Sequence, residues 1–146
     1  MNLTASAAAL FCNEDSEVLI VNPTYKDYWN LPGGGVDIDR GETPYDAVVR
    51  EVREELGITP PIGRLLAHAW ITGAGKEAKV LYIFDGGILS REDQEAITLQ
   101  TSELSEYRFC HPEEEPGLIP PHLTDVWMES VFALNKKHIN YVSVKL

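Results

Sequence analysis

Three glutamates, Glu51, Glu54 and Glu55, stand in the run Arg50-Glu51-Val52-Arg53-Glu54-Glu55-Leu56. On a helix, Glu51 meets Glu54 and Glu55 at i,i+3 and i,i+4 spacing, where β-carbons are about 5 to 6 Å apart and like charges repel by a few tenths of a kcal/mol. A divalent cation turns that repulsion into a site, because Mg²⁺ takes one or two carboxylates together with substrate phosphate oxygens. Upstream, Gly33-Gly34-Gly35 can present backbone carbonyls to such an ion and let a phosphate approach closely. The competing reading is a solvated acidic helix face with Arg50 and Arg53 as ordinary neighbours.

The helix that must carry these residues is well marked over 44–57. Thr43 suits the N-cap, Pro44 the first helical position, Asp46 the third position of a short-armed capping box, and Gly57 the C′ position. At 100° per residue, Tyr45, Val48, Val49, Val52 and Leu56 share a face that must meet a sheet. Glu55 lies roughly 75° from the centre of that stripe, Glu51 roughly 115°, and Glu54 near the opposite side. Ala47, on the arc of the glutamates, is too small to obstruct what sits above Glu51.

Around this helix the chain reads mostly as strands. Residues 4–12 and 17–22 are apolar runs about the turn-forming Asn13-Glu14-Asp15-Ser16, which predicts a β-hairpin. A long loop follows from Pro23 to about Thr43, and structureless loops of this length are usually functional or disordered. Strands are expected at 64–72 and 77–85 around Gly73-Ala74-Gly75, and at 104–110. The apolar run from Val80 to Phe84 suits a strand covered on both faces. A Pro- and Glu-rich loop to Pro121 precedes a helix from about 123 to 134, and residues 140–146 read as a short strand or a tail. Strands with one central and one late helix predict a mixed α/β fold, a curved mixed sheet between helices.

The chain has 146 residues, enough for one domain over 1–146 whose core needs neither disulfides nor a structural metal. Lys and Arg number 12 against 23 Asp and Glu, a formal charge of −11, which argues against a nucleic-acid polymer as partner. An acidic protein should also repel anionic metabolites unless it recruits cations. Seven acids and three arginines lie between Asp37 and Glu55, so −7 + 3 places −4 of the excess there. Cys12 and Cys110 form no C-x-x-C pair, and no run is apolar enough to span a membrane, so a soluble, cytoplasmic protein is expected.

The segment from Gly33 through Glu42, then seven residues, then Arg50-Glu51-Val52-Arg53-Glu54-Glu55-Leu56-Gly57-Ile58, resembles the Nudix box, G-x5-E-x7-R-E-U-x-E-E-x-G-U with U aliphatic. Every defined position from Glu42 onward matches, and Trp29-Asn30-Leu31-Pro32 is similar to the usual lead-in. Seven residues separate Gly34 from Glu42 where the pattern has five, an apparent two-residue insertion around Asp37 to Arg40.

The resemblance implies an α/β/α sandwich and a hydrolase that cleaves a nucleoside diphosphate linked to another moiety with Mg²⁺ or Mn²⁺. Glu51, Glu54 and Glu55 would hold the metal with a backbone carbonyl of Gly33 or Gly34, and Glu51 or a loop carboxylate would activate water. Arg50 would orient them by pairing with Glu42; an i,i+4 pair with Glu54 is the other reading. Glu103, Glu106 and Asp85 are candidates for a further carboxylate, or plain surface acids. His68 and Trp70 could face a substrate cleft or fill a second core layer. His111 and His122 lack ligand spacing and take no role. Asp37 to Gly41 faintly resembles a calcium loop, but its glycine stands fifth instead of sixth and Val48 takes the twelfth place where a glutamate is needed. The alternative function is a Nudix-like module that senses a nucleotide without cleaving it. Oligomeric state stays open, a homodimer among the options.

Overall fold

The computed structural model describes residues 2–73, 75, 77–115, 117–120 and 123–146. In chain order the elements are β1 (Asn2–Cys12), β2 (Val18–Pro23), β3 (Gly33–Gly35), α1 (Pro44–Leu56), β4 (Leu65–Thr72), β5 (Glu77–Ile88), α2 (Arg91–Ala96), β6 (Leu104–Cys110), α3 (Thr124–Leu134) and β7 (Asn140–Lys145). The seven strands form one sheet in the order β6-β2-β1-β5-β4-β7, with β3 added to β1. β1 runs parallel to β5 and β4 parallel to β7, while the other pairs are antiparallel, so the sheet is mixed as expected.

Alternation along β1 explains the layers. Ala7, Ala9 and Phe11 point to one face and pack with Val48, Val52 and Leu56 of α1. Ala8 and Leu10 point to the other, beside Val126, Trp127 and Ala133 of α3. Leu19 and Phe84 join the first layer, Ile20 and Ile83 the second. The central strands are therefore buried on both faces, and each large apolar side chain removed from water contributes about 1.5 to 3 kcal/mol. This is the α/β/α sandwich.

Several local expectations change. β1 and β2 meet only at Cys12 and Val18, because β3 occupies the neighbouring edge of β1, pairing Ser6 with Gly35 and Ala8 with Gly33. The hairpin turn holds, with Asn13 Oδ1 accepting from the amides of Asp15 and Glu17 at 3.0 and 2.9 Å. The expected loop from Pro23 to Thr43 contains β3 and a 3-10 turn at Ile38–Arg40. Three glycines carry no β-propensity, so that strand has no signature of its own. Ala47 is fully buried within the α1 layer instead of lying open beside Glu51. Tyr45 is 45% exposed, its hydroxyl donating to Ile62 O at 3.0 Å while its ring edge meets Phe84.

Six-residue α2, capped by Ser90, is too short for a periodic signal. The terminal segment is a strand, with Asn140 opposite Ala67. Ala74 of the expected turn at 73–75, and Pro121 and His122 at the end of the expected loop, lie outside the described residues. No described helix is long and apolar enough to cross a membrane.

Candidate active site

The setting of α1 is determined at its ends. Thr43 Oγ1 accepts from the Asp46 amide at 3.1 Å and Asp46 Oδ2 accepts from the Thr43 amide at 3.2 Å, closing the capping box. Gly57 ends the helix at φ 69°, a left-handed conformation that favours glycine. With the apolar stripe on the sheet, exposure of the glutamates rises in the order of their helical angles. Glu55 is 6% exposed, and the side chains of Glu51 and Glu54 are 15% and 45% exposed.

β3 brings the glycines against these carboxylates. The Gly33 amide donates to Glu55 Oε1 at 2.7 Å. A β-carbon on Gly33 would stand 2.2 Å from Ala7 O, and one on Gly34 would stand 2.5 to 2.8 Å from the Glu51 carboxylate. Glycine is thus required on both sides: β1 presses on the first and α1 on the second.

Burial pushes the Glu55 carboxyl up to about 8; the Gly33 bond opposes this, and repulsion from Glu51, Glu103 and Glu54 adds to it. Burial also raises Glu51, against the pull of Arg50. Both effects follow from placing carboxylates in a sheltered site without enough counter-charge.

Arg50 is the hub of the outer half of the site. Its Nε donates to Glu42 Oε2 at 2.7 Å and Nη2 to Glu42 Oε1 at 2.9 Å, a bidentate pair. Its Nη1 reaches Glu51 Oε1 at 2.9 Å and Glu54 Oε2 at 3.2 Å, and Nη2 also reaches Gly35 O at 3.0 Å. The pair with Glu42 and the i,i+4 pair with Glu54 therefore form at once. Its hydrogen bonds and the Asp37 amide keep the Glu42 carboxyl down at about 2.

The two-residue insertion is absorbed in the 3-10 turn. Asp37 N donates to Glu42 Oε1 at 2.8 Å, Glu42 N donates to Asp37 O at 3.1 Å, and Gly41 turns at φ 73°. The extra residues loop outward while Glu42 returns to Arg50.

A cleft of about 830 Å³ opens beside the site, reaching Gly33, Gly34 and Glu55 at one end and Lys79 and Tyr25 on β5 and the segment after β2. Oxygen donors of this kind fit a hard divalent cation: Glu55 is buried beside three other acids, with no ion-pair partner among the described residues. Among the described residues no three His, Cys, Asp or Glu side chains already converge as a metal cluster. Glu51 and Glu54 are each paired with Arg50.

The model of the NUDIX domain matches residues 2–133. The chain belongs to the Nudix family. Over 65 residues it is 42% identical to diphosphoinositol polyphosphate phosphohydrolase 3-beta of Bos taurus, covering 42% of this chain and 38% of that one. The matched stretch thus spans little more than a third of that Nudix relative. A MutT protein structure from Methanosarcina mazei Go1 aligns with TM-score 0.72 at 27% identity, covering 92% of this chain and 96% of that one. An ADP-ribose pyrophosphatase from Streptococcus suis, at 21% identity, TM-score 0.62 and coverage of 96% and 98%, shares the Nudix fold.

Within this Nudix fold, the structure brings Gly33, Glu42, Arg50, Glu51, Glu54 and Glu55 together, and the charge of Glu103 reaches Glu51 and Glu55. Glu106 instead accepts from Asn22 Nδ2 at 3.3 Å, and Asp85 accepts from the Gly87 amide at 2.8 Å. His68 packs on Tyr141, 5.2 Å between centroids, and Trp70 is 42% exposed; neither lines the cleft, and Trp70 fills no second core layer. β4, beside β7 at the sheet edge, carries these two residues away from the cleft. Sequence reasoning missed Tyr25, Lys26 and Lys79, which line the cleft. The available signal was Lys79 in the alternating register of Leu81 and Ile83.

Proposed function

We propose that the chain is a metal-dependent pyrophosphohydrolase that cleaves the diphosphate of a nucleoside diphosphate linked to another moiety. The observation that carries this reading is Glu55, a buried carboxyl pushed up to about 8 among Glu51, Glu54 and Glu103 at the mouth of a cleft. Glu51, Glu54 and Glu55, with a backbone carbonyl of Gly33 or Gly34, would hold Mg²⁺ or Mn²⁺. When bound, the cation neutralises the diphosphate, polarises phosphorus and lowers the pKa of a coordinated water. Arg50 holds Glu51 and Glu54 in place through its anchor on Glu42, and Gly34 keeps the space above Glu51 clear. Glu51 or Glu103 accepts the proton of the attacking water, both facing the same acidic pocket. Cytoplasmic placement rests on the sequence composition.

The test is Mg²⁺- and Mn²⁺-dependent hydrolysis over a panel of nucleoside-diphosphate derivatives, extended to a diphosphoinositol polyphosphate by the name of the bovine relative. Glu54→Gln and Glu55→Gln serve as controls. Turnover that collapses in both variants supports the reading, and equal turnover in them sinks it. Tight binding with no turnover in either metal would identify a nucleotide-sensing module instead.

A further inference from the structure

On the α3 face of the sheet the register of β1 and β5 changes character along its length. Ala8, Leu10, Leu81 and Ile83 belong to the buried core. Continuing along the same alternation, Ser6, Thr4 and Lys79 line the open cleft, with Thr4 directly opposite Lys79. Polar side chains in a core-facing register need a partner, and here that register opens into a cleft instead of meeting α3.

Lys26 reaches the same cleft from the segment between β2 and β3. That segment is tied at both ends. Thr24 N donates to Glu103 O at 2.8 Å, and Trp29 N donates to Leu118 O at 2.8 Å while Arg108 stacks over its ring at 4.7 Å. Lys26 Nζ lies 5.5 Å from the Tyr25 ring centroid. Asp27 and Glu77 also line the cleft, and Glu55 lines its far end, yet neither lysine forms an ion pair among the described residues. Lys79 stays exposed to the cleft, and desolvation beside the strand, with the charge of Lys26 adding to it, lowers its ammonium below the usual range.

In a chain of net charge −11, two lysines facing one cleft with no acid paired to either among the described residues are complementary to an anion. Position sets which one. Ser6 pairs with Gly35 on one side of β1, and Thr4 pairs with Lys79 on the other. Two strand spacings of about 4.8 Å and two residues of about 3.3 Å put the Lys79 Cα roughly 12 Å from Gly35. A diphosphate at the glycines and glutamates cannot occupy both places, and the remaining distance is that of about one sugar ring.

We propose that Lys79 and Lys26 form an anion subsite selecting substrates whose moiety beyond the diphosphate carries a further carboxylate or phosphate. This rests on the hydrolase reading only for where the diphosphate sits. The experiment compares matched pairs with Mg²⁺ present: UDP-glucose with UDP-glucuronate, which adds a carboxylate, and ADP-ribose with ADP-ribose 1″-phosphate, which adds a phosphate. Wild type should prefer the anionic member of at least one pair by about tenfold in kcat/KM, an advantage that shrinks with added salt. The two pairs separate a carboxylate from a phosphate preference. Lys79→Met and Lys26→Met should each reduce the ratio, and the double variant should bring it to about one; general damage would lower both members and leave the ratio standing. Calorimetric binding of the same four ligands is read separately, so a chain that binds without turnover still reports the ratio and only the hydrolase reading fails. Equal values within both pairs, an undiminished ratio in the double variant, or no binding of any of the four overturns the subsite.

Discussion

The backbone amide of Gly33 donates a 2.7 Å hydrogen bond to the buried carboxylate of Glu55, joining β3 to α1 across 22 residues of chain. Burial is what raises this carboxyl to about 8; the one amide opposes it, and the charges of Glu51, Glu103 and Glu54 add to it.

A pH dependence follows. Glu55 binds its proton more tightly folded than unfolded, so the unfolded state carries fewer protons between about 4.5 and 8 and metal-free stability should fall as pH rises through that window. Thermal unfolding in EDTA should show this slope, and Glu55→Gln should flatten it. Mg²⁺ competes with the proton, so its stabilisation should grow with pH; a Mg²⁺ effect independent of pH would refute the assignment.

Arg50→Lys keeps the charge but removes the bidentate grip on Glu42 and the simultaneous reach to Glu51, Glu54 and Gly35. Metal affinity or activity should drop roughly 10- to 100-fold, as when outer partners of metal ligands are lost. Titrating Mg²⁺ against turnover in the variant checks it, with wild-type values as the contrary result.

Gly34→Ala should separate folding from function. The nearest neighbours of the new β-carbon are the far end of Glu51, at 2.5 to 2.8 Å, and that side chain can swing away. Circular dichroism should stay native while activity falls by about 10²-fold, the scale of a 1 Å misplacement. Gly33→Ala, which strikes the backbone of Ala7 and Ala8, should instead destabilise the protein.

Far from the cleft, Arg64 clasps the end of α3. It donates to Ala133 O in the last turn, and to Lys136 O at 2.5 Å and His138 O at 3.0 Å in the segment that leads from α3 to β7. Arg64→Ala should cost about 2 kcal/mol in denaturant unfolding. A change within error would mean that water replaces the guanidinium.

Much of the site was legible because it is local. The cap at Thr43, the stop at Gly57 and the angular order of Glu55, Glu51 and Glu54 all follow from 3.6 residues per turn, and the burial series confirms them. That the charge of Glu103 reaches Glu51 and Glu55 while Glu106 and Asp85 bond to Asn22 and Gly87 comes from the fold, since surface-type acids in strands and turns carry no local mark of what faces them. β3 was illegible because glycine is neutral between strand and loop, and Trp70 was misplaced because alternation does not reveal which part of a face a helix covers.

The sequence by itself determined the local frame of the site: a capped amphipathic helix, its acids and the glycines ahead of it are short-range features set by backbone geometry and side-chain type. Tertiary structure decided the partners. That Gly33 reaches Glu55 and that Lys26 and Lys79 share a cleft are long-range juxtapositions. They exist only because β3 and β5 take opposite edges of β1, a choice made by burial of the whole sheet between two helices and not by any one segment.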